Sequence, residues 1–169
     1  MAFIGKFLGK RVEIPEDRRH NGRQGLWAKP EGQEIVFGFP EPSLVLIGGI
    51  NDLEWIASEG KGVRKGETVF FAITGKISYM DAPTGGVIHF NPKAKQDPSL
   101  VSRDPYGEGW LFRIRPAQPG GDALDEFVNA AEYVEGLKGT EGCKNPDGLK
   151  GGVSGICKAV YSGIREQKL

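Results

Sequence analysis

Short apolar runs, each closed by glycine or proline, dominate this chain and limit what it can become. Glu34–Phe39, Ser43–Gly48, Thr68–Ile73, Val87–Phe90 and Trp110–Ile114 are four to six residues long, shorter than an ordinary helix. Most are rich in β-branched and aromatic residues, so each reads as a strand. Strands of this length at this spacing predict a mainly β sandwich or flattened barrel. The 26 glycines and 11 prolines are scattered as turn punctuation, with no low-complexity block. A length of 169 residues allows one domain with a real core and a short appendage.

Two turn signals stand out. Ile73-Thr74-Gly75-Lys76-Ile77 sets a glycine at the centre of a tight reversal, where a positive φ costs little. Ala82-Pro83-Thr84-Gly85-Gly86-Val87 is a second hairpin signal, its proline blocking ladder pairing. Residues 1–25 read as a leader, polar and irregular after the first few, with Arg18, Arg19, His20 and Arg23 close together. Residues 26–139 read as the domain. Near its end Asp122 to Phe127 suggests a helical turn or two, and Asn129 suits an N-cap with Glu132 completing a capping box. Gly139 is a natural stop for that helix. Residues 140–169 read as an extension in which Val153, Ile156, Cys157, Val160 and Ile164 recur at helical spacing.

The 22 basic and 22 acidic residues balance, and the basic ones gather on no predicted face. Nucleic acid and anionic membrane are therefore not expected partners. Lysines interrupt the apolar start, and no run approaches the roughly twenty apolar residues of a membrane span. A cytoplasmic protein is expected, with Cys143 and Cys157 as thiols rather than a structural disulfide. Lys144 beside Cys143 would modestly favour its thiolate, and Cys157 on an apolar helix face reads as a small hydrophobe; passive thiols are the expectation, with a redox pair able to exchange with a disulfide as the alternative. Thirteen residues apart with no histidine nearby, Cys143 and Cys157 do not spell a zinc site. His89, between Ile88 and Phe90 in a predicted strand, should face away from the core. No Ser-His-Asp or Cys-His pairing can be assembled around His20 or His89, so a stand-alone enzyme is not expected.

One stretch is more specific. Asn91 to Pro116 reads NPKAKQDPSLVSRDPYGEGWLFRIRP, and within it Asp104-Pro105-Tyr106-Gly107-Glu108-Gly109-Trp110-Leu111 is a fixed run of unusual residues. It resembles the glycine cleavage H protein family. Lys65-Gly66-Glu67, Ala82-Pro83-Thr84-Gly85-Gly86-Val87 and Asn129-Ala130-Ala131-Glu132-Tyr133 extend the resemblance over roughly residues 33–138. It implies a lipoyl/biotinyl-type flattened β-barrel, a hybrid-motif sandwich, with C-terminal helices. In such carriers a hairpin-tip lysine is joined to lipoic acid by an amide, so that a tethered arm can visit several active sites. The arm's cyclic disulfide accepts an electron pair with an acyl, aminomethyl or sulfur-containing group.

The resemblance places that role on Lys76, with covalent lipoate as cofactor. The partners it implies are a lipoate-attaching ligase and the enzymes of a multienzyme system, served by a monomer. Counting forward from Gly66 reaches Lys76, whereas counting backward from Ala82-Pro83 reaches Gly75, because one residue is missing from the return strand. Ile73 stands where the family has a glutamate that helps attaching enzymes recognise the hairpin. The passage Ile50–Ile56 also departs from the family, and the extension bears Cys143 and Cys157. With these departures the chain more nearly resembles the lipoate-binding protein group that serves heterodisulfide-reductase-like complexes in sulfur oxidation, and that resemblance implies such a system as the expected one. The alternatives are an unlipoylated interaction module and the H protein of glycine cleavage itself.

Overall fold

The computed structural model describes residues 1–118 and 123–148, and the backbone of 165–167. The chain opens with strands β1 (Ala2–Phe7), β2 (Lys10–Ile14), β3 (Arg19–Asn21), β4 (Leu26–Glu31) and β5 (Glu34–Gly38). Helix α1 (Glu41–Ile47) follows, then β6 (Asp52–Trp55), β7 (Gly62–Val63), β8 (Thr68–Ile73), β9 (Ile77–Asp81) and β10 (Gly86–Phe90). Short helices α2 (Pro92–Gln96) and α3 (Ser99–Arg103) precede β11 (Phe112–Pro116), and α4 (Ala130–Leu137), α5 (Glu141–Lys144) and β12 (Arg165–Gln167) complete the order.

Two antiparallel sheets form the sandwich, one ordered β3-β4-β5-β11-β10-β7 and the other β12-β9-β8-β6. Their inner faces share a core whose centre is aromatic. Phe112 is fully buried and lies 5.2 Å from Phe37, 5.7 Å from Phe70 and 6.4 Å from Phe90 between ring centroids. These separations suit edge-on and offset contacts, which add to the gain from area burial. Alternation follows the pleat in β10, where Gly86, Ile88 and Phe90 are buried while Val87 and His89 are exposed. Among the described residues no helix is long and apolar enough to cross a membrane.

The mainly β reading and most strand positions hold, and the departures have local causes. Ser43–Gly48 is helix, not strand. Pro40 and Pro42 remove two donors that a ladder would need but a helix start does not. Gly48 then takes the left-handed cap at φ +74°, with Gly48 N–H on Val45 O and Gly49 N–H on Leu44 O. The leader is not irregular: β1 and β2 make a hairpin, and β3 joins the six-stranded sheet. Ala82–Val87 is no hairpin, because β9 and β10 belong to different sheets and the turn carries the chain between them. Residues 123–126 form a turn rather than a helix, closed by Phe127 N–H on Leu124 O at 2.9 Å. Asn129 does cap α4, accepting from Glu132 N–H at 2.8 Å, but the helix stops at Leu137 without using Gly139 as a left-handed cap. The amphipathic helix read around Cys157 lies outside the described residues.

A second core cluster ties the N-terminal hairpin to α4. Phe7, Val12 and Ile14 pack with Ala130, Tyr133 and Leu137. His20, fully buried, stacks on Tyr133 at 4.8 Å and 5°. Its Nε2 lies 2.9 Å from Pro15 O; a carbonyl only accepts, so Nε2 carries the proton. Nδ1 is then a buried lone pair with no partner among the described residues.

Candidate functional site

The hairpin of β8 and β9 is built as a firm base with a small protruding loop. Val69, Phe70, Ala72 and Met80 anchor it in the core. Ile73 pairs with Ile77, leaving Thr74-Gly75-Lys76 as the loop, and Thr74 N–H donates to Lys76 O at 2.9 Å. Gly75 occupies φ +121°, a region costly for L side chains. A Cβ there would meet nothing within 4 Å, so the backbone angle and not crowding calls for glycine. Lys76 follows as the first side chain on the return side, partly exposed.

The register of the hairpin carries one irregularity. Thr68 pairs with Asp81 but Phe70 pairs with Met80, so Val69 is an extra residue on the outgoing strand. Such a bulge sets two residues against one. The bulge lies near the base, and the pairs Phe71–Tyr79, Ala72–Ser78 and Ile73–Ile77 stay regular up to the loop.

The run that carries the resemblance is architectural. Gly107 N–H and Gly109 N–H both donate to Asp104 O, at 3.2 and 2.8 Å, and Glu108 N–H donates to the Asp104 carboxylate at 2.9 Å. A Cβ on Gly109 would lie 2.5 Å from Leu100 O, so only glycine fits. Pro105 O accepts from Trp27 Nε1 at 3.1 Å. The Tyr106 hydroxyl donates to Glu13 O at 2.5 Å and accepts from Glu41 N–H at 2.8 Å, joining β2 to the start of α1. Arg18 lies over both Trp27 and Tyr106, 4.6 and 5.4 Å from their centroids, with Asp17 at 2.9 Å. Burial pushes the Tyr106 phenol far above its ordinary range, so it stays a neutral donor. Asn91, 2 % exposed, donates to Glu108 O and Trp110 O at 2.7 Å each and caps α2 through Lys93 N–H. An asparagine directly before proline is the sequence signal for that cap, and the reading of the chain did not use it.

The other sequence candidates are not gathered around Lys76. His89 faces outward as expected, but it lies in β10, outside the sheet that carries Lys76, and it pairs with the loop residue Glu59 at 2.6 Å. Cys143 sits in α5, partly buried against the N-terminal hairpin cluster. Burial pushes its thiol up, opposed by Lys138 and not by Lys144, so the modest favouring of the thiolate read from Lys144 does not hold, and the direction is that of a passive thiol. Cys157 lies outside the described residues. No group of three His, Cys, Asp or Glu able to hold a metal occurs among the described residues. A cleft of about 810 Å³, lined by Arg19, Glu34, Arg115, Leu124 and Phe127, opens beside the turn between β4 and β5 and converges on no reactive group.

Comparison with known proteins agrees with this geometry. Residues 19–140 match the family model described as Glycine cleavage H-protein. The glycine cleavage system H protein of Thermus thermophilus is 35% identical over 129 residues, which cover 75% of this chain and 98% of that one. A probable glycine cleavage system H protein 2 of Saccharolobus solfataricus is 31% identical over 131 residues, covering 75% and 86%. The crystal structure of a glycine cleavage system H protein from Mycobacterium marinum superposes with a TM-score of 0.60 at 26% identity, covering 73% of this chain and 98% of that one. The family match spans the six-stranded sheet together with β6, β8 and β9, and so includes the hairpin. The chain therefore belongs to the glycine cleavage H-protein family, whose members are not catalysts but carriers with lipoate covalently attached to a lysine.

Proposed function

We propose that Lys76 is the lipoyl attachment site and that the chain is the mobile-arm component of a multienzyme system. The observation that carries this reading is the position of Lys76 in a three-residue loop on a core-anchored hairpin. The loop fits the group. Gly75 is exposed and a Cβ there would meet nothing within 4 Å, so the loop backbone beside Lys76 is uncovered. When bound, lipoate supplies a cyclic disulfide that takes up an electron pair together with the carried group. The protein's own part is to hold the root of the arm rigid and outward, which raises the arm's effective concentration at each partner.

The carried group that the relatives' names favour is the aminomethyl unit of glycine cleavage. A second reading, transfer of sulfur intermediates by heterodisulfide-reductase-like enzymes, is favoured by one specific observation. Ile73, beside the loop, replaces the acidic residue that the hairpin's resemblance leads one to expect. Both readings describe a monomeric cytoplasmic carrier dependent on a lipoate-attaching ligase.

Peptide mass spectrometry of protein from its native host tests the attachment. A lipoyl-sized increment on the peptide containing Lys76 is expected, and an unmodified Lys76 in a host that lipoylates other proteins would sink the proposal. Incubating the lipoylated protein with glycine decarboxylase and glycine separates the two cargoes: aminomethyl loading supports glycine cleavage, and its absence favours the sulfur reading.

A further inference from the structure

The sheet that carries Lys76 has two edges, and they are protected differently. At β6, Lys95 from α2 donates to the outward Leu53 O at 2.6 Å and to Glu54 at 2.5 Å, so a charged side chain closes that edge. The edge at β9 reads Ile77-Ser78-Tyr79-Met80-Asp81. It has no proline, no lysine and no bulge of its own, and its one charge, Asp81, stands at the end away from the loop and accepts from the Thr68 hydroxyl at 2.8 Å. An edge without these devices is a template for any extended backbone. Among the described residues one element occupies it: β12 pairs antiparallel with β9, Arg165 opposite Tyr79, Glu166 opposite Ser78 and Gln167 opposite Ile77.

The direction of this pairing matters. β12 runs toward the loop, and its last pair is with Ile77, the residue after Lys76. Ile73 O accepts from Asn51 N–H on the β6 side. Alternation along the hairpin then turns the backbone groups of Ile77 and Tyr79 outward, so Arg165 and Gln167 present the N–H groups that face β9.

We propose that the β9 edge is a strand-addition surface held closed by β12 of the same chain, so that the tail gates access of other proteins to Lys76. This rests on the lipoyl reading only for its consequence at Lys76, not for the pairing itself. An enzyme that grips the hairpin by its edge must first displace three residues, a short ladder that opens at low cost. The match to the family model stops at residue 140, so β12 lies in the part of the chain beyond it.

The test uses the full chain with Arg165→Pro and Gln167→Pro together, which removes both inward donors. Arg165→Ala with Gln167→Ala is the control that keeps them. Hydrogen exchange at the Ile77 and Tyr79 amides should accelerate about tenfold or more in the proline variant and stay at the wild-type rate in the alanine variant. Equal exchange in all three proteins overturns the proposal. A purified lipoate–protein ligase with lipoate and ATP should then modify Lys76 several-fold faster in the proline variant. Equal rates with the exchange difference present overturn the gating. Were neither protein modified, the attachment at Lys76 would fall, while hydrogen exchange would still decide the strand addition.

Discussion

Replacing Tyr106 with phenylalanine removes one oxygen and tests how the N-terminal hairpin is held. That hydroxyl donates to Glu13 O and accepts from Glu41 N–H, and Glu13 N–H in turn donates to the Glu41 carboxylate at 3.2 Å. Three segments distant in sequence therefore meet at one atom. The aromatic ring and its contact with Arg18 survive the substitution, so the loss is confined to two hydrogen bonds. At about 0.5–1.5 kcal/mol each, the cost is about 1–3 kcal/mol, with the upper end applying if Glu13 O and Glu41 N–H are left dry. For a chain of this size that corresponds to a fall in Tm of roughly 2–10 °C. Urea unfolding followed by circular dichroism measures it, with unchanged m showing that the fold is otherwise intact. Hydrogen exchange should localise the effect to β2 and the first turn of α1. A loss under about 0.5 kcal/mol, or one spread evenly over the sheets, would refute the idea that this hydroxyl pins the hairpin to the domain.

Two further outcomes are expected. Asn91→Ala removes the cap of α2 and leaves Glu108 O and Trp110 O without their donor, so a loss of about 2–4 kcal/mol should appear in the same urea assay. His20 is held below its ordinary value of 6.5, first by burial and also by Arg18, against the opposing pull of Pro15 O and Asp17. Its folded pKa is thus depressed relative to the unfolded chain. The unfolded state binds the proton first as pH falls, so the stability held above about pH 6.5 is lost progressively below it. Melting curves from about pH 7.5 to about pH 5 should show a steeper acid loss in wild type than in His20→Phe, and parallel curves would contradict this.

The hairpin was legible because its signals are local. Ile73-Thr74-Gly75-Lys76-Ile77 names its own turn through one glycine between apolar neighbours, and the strand Thr68–Ile73 appears as read. Ser43–Gly48 misled for the opposite reason: an apolar run of this length has no usable period, and the prolines and glycines at its ends decided for helix. The Cys143 environment was illegible, since burial against Phe7 and its neighbours comes from a segment far away in the chain.

By itself, then, the order of residues determined the class of fold, the turn that presents Lys76, and the cap that starts α4. These depend on backbone angles and pleat alternation within a few residues, which the sequence writes directly. Tertiary structure alone decided that Val69 bulges out of the β8–β9 ladder, that Tyr106 joins three distant segments, and that Arg165–Gln167 lie against β9. Each of these is a pairing between surfaces separated by many residues. Such pairings are fixed by which polar groups and edges the assembled sheets leave to be satisfied, and no local pattern records that.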